Sequence, residues 1–197
     1  MFAQTQNELH NMKHMSILAV SLLALVACTP EKKQEADYSQ YVNPMIGTDF
    51  TGNTYPGAQV PFGMVQLSPD NGLPGWDRIS GYFYTDPTIA GFSHTHLSGT
   101  GAGDLYDISF MPVTRPYKEA PAPLGIYSTF SHNDEAASAG YYRVLLKDYN
   151  INVELTATER CGIQRYTFPE AEASVFLNLK KAMNWDFTLD SKIEVVC

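Results

Sequence analysis

The sequence predicts an all-β fold, an antiparallel β-sandwich, on three observations. Four apolar segments in the second half recur at intervals of about ten residues with turn residues between them, which is the spacing of short sandwich strands. In one of them, residues 151–158, apolar and polar residues alternate, as in a strand with one buried face. Prolines interrupt the first half often enough to exclude long helices there.

The N-terminal region predicts export. Lys13 precedes an apolar run, residues 17–27, that is too short to span a bilayer but fits the hydrophobic region of a secretory signal. The run ends in Leu-Val-Ala-Cys28, which resembles the bacterial lipobox. We interpret residues 1–27 as an upstream extension plus a lipoprotein signal peptide, Cys28 as the lipidated, membrane-anchored residue and residues 28–37 as a polar tether. A short membrane anchor is the alternative.

The domain predicted for residues 38–197 begins with strands that prolines restrict to sheet edges or bulges. We expect these strands at residues 41–47 and 60–67, with a loop at 48–57 between them. We next expect a turn at residues 68–75, an aromatic strand at 82–84, further strands at 108–113 and 125–131, and a short helical turn at 132–139. The regular strands of the second half are residues 141–147, 151–158, 162–168 and 174–179.

The charge balance excludes nucleic acid as a partner. The chain has 13 basic and 21 acidic residues and a net charge of -8, and its longest runs of Lys or Arg are pairs. The positive surface that binds a phosphate backbone is therefore missing.

The C-terminal half contains two cysteines. Cys161 lies in a strand-like run and is expected to be a buried thiol, with a disulfide to Cys197 as the alternative. The chain stops inside an apolar, β-favouring run, residues 192–197, so we expect the domain to be truncated.

One polar stretch, residues 91–104, indicates a binding site. It contains His94, His96 and four glycines, which let the backbone approach a ligand closely. Side chains alternate along a strand, so we expect both imidazoles on one face. Three interpretations stay open: a metal pair completed by Asp104 or Asp107, histidines that fix the loop through hydrogen bonds, or a pocket for a neutral polyhydroxylated ligand.

A second candidate is the tryptophan that follows Pro-Gly in a polar loop. Trp76 precedes Asp77 and Arg78. An indole that stacks on a ring, with a carboxylate and a guanidinium that bond to vicinal hydroxyls, is the usual composition of a sugar subsite. A tryptophan that covers one end of the sandwich is the alternative. The sequence has no nucleophile-elbow motif, and no carboxyl pair for glycoside hydrolysis stands out in it.

Four sequence blocks stand in order along the chain. They are residues 41–48 (YVNPMIGT), 55–58 (YPGA), 61–70 (PFGMVQLSPD) and, above all, 91–101 (GFSHTHLSGTG). In these blocks the chain resembles the N-terminal domain of glycoside hydrolase family 92, a family of bacterial exo-acting α-mannosidases.

This resemblance implies a calcium-dependent, inverting exo-α-mannosidase of α-1,2 type that acts on mannose-containing N-glycans or mannan. It also implies an N-terminal β-sandwich followed by a much larger (α/α)₆ barrel, which supplies the catalytic acid, the base and most calcium ligands. For this chain it implies Trp76 at the subsite of the leaving sugar, with Asp77, His94 and His96 beside it, and neither a catalytic residue nor a metal ligand.

A chain that ends before such a barrel is expected to be inactive in isolation. The alternatives are a stand-alone carbohydrate-binding lipoprotein that captures glycans without cutting them, and the remnant of a disrupted gene.

Overall fold

Two four-stranded antiparallel sheets share one hydrophobic core in the computed structural model, which describes residues 36–99, 101, 103, 105–170, 172–179 and 188–196. The predicted signal peptide, Cys28, most of the tether, Asp104 and Cys197 lie outside the described residues. All the elements below belong to the compact unit Tyr38–Cys197.

The described elements are short strands and three single turns of 3-10 helix. The helical turns are Ser39–Tyr41, Trp76–Arg78 and His132–Asp134. The strands are Ser68–Asp70 (β1), Thr88–Ile89 (β2), Gly91–Ser93 (β3), Ser109–Thr114 (β4), Glu119–Ala120 (β5), Gly125–Ile126 (β6), Ser128–Thr129 (β7), Glu135–Ser138 (β8), Tyr141–Leu146 (β9), Ile151–Ala157 (β10), Gly162–Thr167 (β11) and Ala173–Asn178 (β12). Within the described ranges, no helix has the length and apolar character needed to cross a bilayer.

The two sheets differ in how their strands connect. The second sheet has the order β11-β10-β9-β8, so strands that are neighbours in sequence pair with each other. The first sheet has the order β1-β3-β4-β12, which brings the late strand β12 back to pair with β4. Two small ladders, β2 with β7 and β5 with β6, complete the described pairings.

The core lies between the two sheets. Phe92 and Val113 of the first sheet and Val144, Val153 and Leu155 of the second are fully buried in one cluster. Each such side chain contributes about 1.5–3 kcal/mol by its removal from water. Along the first five residues of β10, fully and partly buried residues alternate, as the sequence predicts.

The predicted sandwich is confirmed, and the strands of the second half match β9 to β12 to within one residue at each end. The predicted strand at 108–113 is β4, and the strand at 125–131 is divided into β6 and β7. The predicted helical turn at 132–139 occupies only His132–Asp134, after which the chain enters β8.

The predicted strand at residues 41–47 is wrong, because local hydrogen bonds use its backbone groups. The Asn43 side-chain oxygen accepts a bond from the Met45 amide at 3.0 Å, and the Thr48 amide donates to the Met45 carbonyl at 3.3 Å. Asparagine and threonine commonly compete with sheet pairing in this way. The segment is a series of turns that leads into the predicted loop at 48–57.

The predicted strand at residues 60–67 is displaced along the chain. The Gly63 amide donates to the Val60 carbonyl at 3.0 Å, which closes a turn. The strand forms instead at β1, where a turn was predicted. Pro69 is tolerated there because β1 is an edge strand of its sheet.

Two smaller predictions also fail. Residues 82–84 are not a strand, because the Phe83 amide donates to Asn71 Oδ1 and the Tyr84 amide donates to the Thr48 carbonyl. The Cys161 thiol is exposed rather than buried, since Cys161 lies in the turn between β10 and β11, where its amide donates to Thr158 Oγ1.

We expect Leu155→Ala to lower the free energy of unfolding by about 2–5 kcal/mol, because it opens a cavity in the shared core. Urea unfolding followed by circular dichroism measures this change. The control is Ile163→Ala on the neighbouring strand, where the side chain is 57% exposed, and there we expect a change of about 1 kcal/mol or less. Equal losses in the two variants would contradict the proposed core.

Candidate functional site

The Trp76 turn, Trp76–Arg78, is an exposed single turn of helix. The Trp76 residue is 55% exposed, as the sequence predicts, and Asp77 beside it is half-buried. A large aromatic ring left in water offers an apolar face to a ligand. The turn therefore combines a stacking surface with a carboxylate.

Arg78 anchors this turn. Its Nε and Nη2 donate to Oδ2 and Oδ1 of the buried Asp86, both at 2.6 Å, and the guanidinium lies 4.6 Å from the centroid of the Phe83 ring. The hydrogen bond that Arg78 donates to Asp86 raises the pKa of Arg78. A bidentate pair fixes the guanidinium plane. Arg78 therefore acts within the protein, and its predicted bonds to sugar hydroxyls are replaced by bonds to Asp86.

His96 is buried in a polar cluster that we call the buried histidine cluster, formed by His96, Asp70 and Ser93. Its Nε2 lies 2.8 Å from Asp70 Oδ1, and its Nδ1 lies 2.6 Å from the Gln66 carbonyl oxygen. The Ser93 hydroxyl donates to the same Asp70 oxygen at 3.1 Å. A backbone carbonyl only accepts hydrogen bonds, so Nδ1 carries a proton and donates to Gln66. The cluster is a fully hydrogen-bonded polar group inside the protein.

The buried histidine cluster has the residue types of a hydrolase triad but not the arrangement. In a triad the aspartate bonds to one ring nitrogen and the serine to the other. Here Asp70 and Ser93 both lie beside Nε2, and the side chains of His96 and Asp70 are fully inaccessible to solvent. The cluster therefore fixes structure, and any part that His96 plays in a substrate site is indirect.

His94 has different surroundings from His96, because β3 ends at Ser93 and strand alternation ends with it. The His94 ring is half-exposed, its Nδ1 lies 2.9 Å from the Ile108 carbonyl oxygen, and its edge contacts Phe110. Among the described residues, no three His, Cys, Asp or Glu side chains are grouped so as to hold a metal. The two histidines therefore form no metal pair with Asp107.

Asn53 joins the Trp76 turn to the glycine-rich loop. It is buried, with a left-handed backbone φ of 48° that asparagine tolerates better than most residues. Its carbonyl oxygen accepts a bond from the Gly99 amide at 2.7 Å. In the amide orientation that satisfies its neighbours, its side-chain nitrogen donates to the Trp76 and Asp77 carbonyls, both at 3.3 Å. One residue thus holds both predicted site segments.

A cleft of about 400 Å³ adjoins the glycine-rich loop at Ser98 and the chain that follows Asn53. The sequence blocks at 41–48, 55–58, 61–70 and 91–101 each contribute to its lining, which is Val42, Asn43, Pro44, Ile46, Thr54, Tyr55, Gly57, Gln59, Pro61, Ser98, Ser138, Ala139 and Gly140. Its walls are mixed, since prolines and aliphatic side chains alternate with hydroxyl and amide groups. Blocks that lie far apart in sequence therefore meet at one surface.

This convergence agrees with the comparison to known proteins. The N-terminal domain of glycosyl hydrolase family 92 matches residues 41–197. The chain belongs to this family. A family 92 α-mannosidase from Bacteroides thetaiotaomicron, also solved in complex with mannoimidazole, is 45% identical with a TM-score of 0.68. The match covers 72% of this chain and 20% of that one.

Two further relatives agree with the family 92 assignment. An inverting mannosidase from Bacteroides thetaiotaomicron is 32% identical with a TM-score of 0.59, over 73% of this chain and 20% of that one. A secreted glycosidase of uncharacterised function from Arthroderma benhamiae is 26% identical over 172 residues, which is 82% of this chain and 21% of that protein. The family 92 chain thus spans about a fifth of the length of these relatives.

The sequence did not identify Asn53 or Asp70 as parts of the site. Asp70 stands at the end of the block 61–70 and so carried a family signal, whereas Asn53 stands in the predicted loop at 48–57, outside the four blocks. Their roles depend on contacts with residues that are distant in sequence, which only the fold brings together.

We expect Asn53→Gly to lower stability by about 1–3 kcal/mol through the lost side-chain bonds, and Asn53→Ala to lower it by roughly 1 kcal/mol more, because alanine resists the left-handed backbone. Urea unfolding separates the two contributions. If alanine and glycine were equivalent, the left-handed backbone would contribute nothing to the cost. If both variants matched the wild type, Asn53 would not join the two segments.

Proposed function

We propose that this chain is the N-terminal, substrate-lining domain of a calcium-dependent, inverting exo-α-mannosidase of α-1,2 type that acts on mannose-containing N-glycans or mannan. The observation that carries this proposal is the exposed Trp76 turn, anchored to the family's glycine-rich loop through Asn53. One relative described as an α-mannosidase and solved with mannoimidazole, and another described as an inverting mannosidase, support mannose as the sugar.

In this proposal Trp76 and Asp77 receive the leaving sugar. The apolar face of a pyranose stacks on the exposed indole, and the Asp77 carboxylate accepts bonds from its hydroxyls. Asn53 and the Arg78–Asp86 pair hold the turn in place before a sugar arrives, which lowers the cost of ordering it on binding.

The carboxyl groups buried beside this site are not available for acid–base chemistry. Asp70 is paired with His96, and Asp86 is paired with Arg78. An inverting glycosidase needs an acid and a base about 6.5–9.5 Å apart with a water molecule between them. We therefore propose that both groups come from a barrel domain, as the family resemblance implies.

No three His, Cys, Asp or Glu side chains are grouped so as to hold a metal ion in the part of the chain that the structure describes. Calcium takes six to eight oxygen ligands, commonly several carboxylates. We propose that the ion is bound mainly by the barrel and assign it no step in this domain.

An apolar surface on residues 46–64 is the proposed contact with that barrel. Ile46, Phe50, Phe62 and Met64 are all exposed by 72% or more, and Ile46 lines the same cleft as Pro61. Exposed apolar surface on this scale marks an interaction site. The relatives extend far beyond the matched region, so a second domain of the same polypeptide is the occupant we propose.

We also propose that the protein is an exported bacterial lipoprotein held in the membrane through Cys28. Support comes from the apolar run and the Leu-Val-Ala-Cys sequence, and from the relative that is described as secreted.

We expect the chain to bind manno-oligosaccharides saturably in calorimetry, and Trp76→Ala to abolish binding because the stacking surface is lost. The control is Tyr117→Ala, which removes an exposed aromatic ring that packs on Phe176 of β12, outside the site. The chain alone should release no mannose from α-1,2-mannobiose in the presence of calcium. Absence of binding would contradict the proposed subsite, and enzyme-like turnover would contradict the need for a barrel.

We expect a chimera in which residues 38–197 replace the matched region of the 45% identical mannosidase to hydrolyse α-mannosides. Phe62→Asp with Met64→Asp should reduce this activity strongly, since buried charges would separate the domains. Ile163→Asp, on an exposed position of β11, should leave it intact. If the double variant kept full activity, the barrel would not contact this surface, and binding without catalysis would become the better description of the chain.

A further inference from the structure

The buried histidine cluster contacts the segment that follows the Trp76 turn. Gly81 has a φ of 86°, and a β-carbon placed there would lie 2.7 Å from Asp70 Oδ1 and 3.0 Å from His96 Cδ2. The backbone of Gly81 thus lies directly against Asp70 and His96. The Gly81 amide donates to the Arg78 carbonyl at 3.0 Å, which closes the Trp76 turn.

Tyr106 forms a second connection between the cluster and this segment. Its ring meets the His96 ring edge-on, with centroids 5.4 Å apart, and its hydroxyl donates to the Ile79 carbonyl. Burial, with a smaller effect from the Asp70 charge, raises the pKa of Tyr106, so its hydroxyl stays a donor. Ile79 and Gly81, which both follow the Trp76 turn, are therefore held by residues that pack on His96.

A third neighbour connects the cluster to the cleft. The Tyr55 ring lies 5.1 Å from the His96 ring, centroid to centroid, and Tyr55 lines the cleft together with Ser98. Hydrogen bonds join the His96 ring to Asp70 of β1 and to the Gln66 carbonyl just before β1. They tie this part of the chain to the residues after β3. His96 thus touches the Trp76 side and the cleft side of the candidate site without reaching solvent.

We propose that His96 is a positioning residue that sets the location of the Trp76 turn through Gly81 and Tyr106. The functional significance of this inference rests on the proposed role of Trp76 in sugar binding. Both ring nitrogens of His96 are hydrogen-bonded, so the ring has one orientation and gives fixed surfaces to three neighbours, Gly81, Tyr106 and Tyr55. A smaller or differently shaped side chain leaves Gly81 and Tyr106 without that support.

The test measures the fluorescence of Trp76 in the absence of sugar, because this fluorescence depends on where the indole lies. The chain has 2 tryptophans, so Trp185→Phe leaves Trp76 as the single indole emitter. In that background we expect His96→Ala to shift Trp76 emission to longer wavelength and to increase acrylamide quenching. Asp70→Asn should retain the wild-type signal, because an amide in the same place donates to neutral His96 and keeps the ring orientation.

His132→Gln is the matched control. His132 also pairs with a buried carboxylate, since its Nδ1 lies 2.6 Å from Glu135 Oε2, but it packs on Tyr84 and Phe130 instead. We expect its Trp76 emission to match the wild type. The same shift in His132→Gln as in His96→Ala would overturn the proposal, because it would show a general loosening of the fold.

Tyr106→Phe provides a milder variant should His96→Ala fail to fold. It removes only the hydroxyl that donates to Ile79, so we expect an emission shift in the same direction and of smaller size. An unchanged signal in folded His96→Ala, or in Tyr106→Phe, would overturn the proposal. Sugar binding plays no part in these measurements, so a wild-type chain that binds no mannoside would contradict the proposed function and leave this inference standing.

Discussion

The buried pair of His96 and Asp70 constrains how the loops of this domain are arranged around the first sheet. Polar groups without access to water are stable only if their hydrogen bonds are complete, and leaving one without its partner costs about 1–3 kcal/mol, more if the group is charged. Here the ring bonds to Asp70 on one side and to the Gln66 carbonyl on the other, so β1 and the chain after β3 must meet at fixed distances. Gly81 is then placed against that fixed pair.

The two sheets contribute in different ways to this arrangement. The second sheet is regular, and its buried residues Val144, Val153 and Leu155 provide stability without taking part in the site. In the first sheet β1 and β3 have only three residues each, and the loops that precede β1 contain residues with left-handed backbone, such as Asn53 and Phe62. Such conformations cost free energy and persist only where surrounding structure determines them. The regular second sheet supplies the stability that offsets this free-energy cost.

Regularity also explains how much the sequence could predict. The strands β9 to β11 follow from alternation because their partners are the next strands along the chain. The first half failed where local turns took the place of a strand, as at residues 41–47, and where a side chain bonded to distant backbone, as Asn71 does to the Phe83 amide. The exposure of Trp76 followed from local turn chemistry. The roles of His96 and Asn53 did not, because their partners are far away in sequence, and strand alternation no longer applies once β3 has ended.

The pairing of charges inside the domain separates sugar binding from catalysis. A buried carboxylate whose oxygens are held by a bidentate arginine or by a histidine ring cannot reach the leaving oxygen, so it cannot serve as the acid that protonates it. Asp86 and Asp70 are held in these two ways, and both stabilise the segments that carry Trp76. In the proposed enzyme the sandwich therefore controls where the leaving sugar lies, while the proton transfers belong to carboxyl groups on the other domain. A site divided in this way requires the two domains to meet accurately, and the exposed apolar residues near the cleft provide a surface on which they can do so.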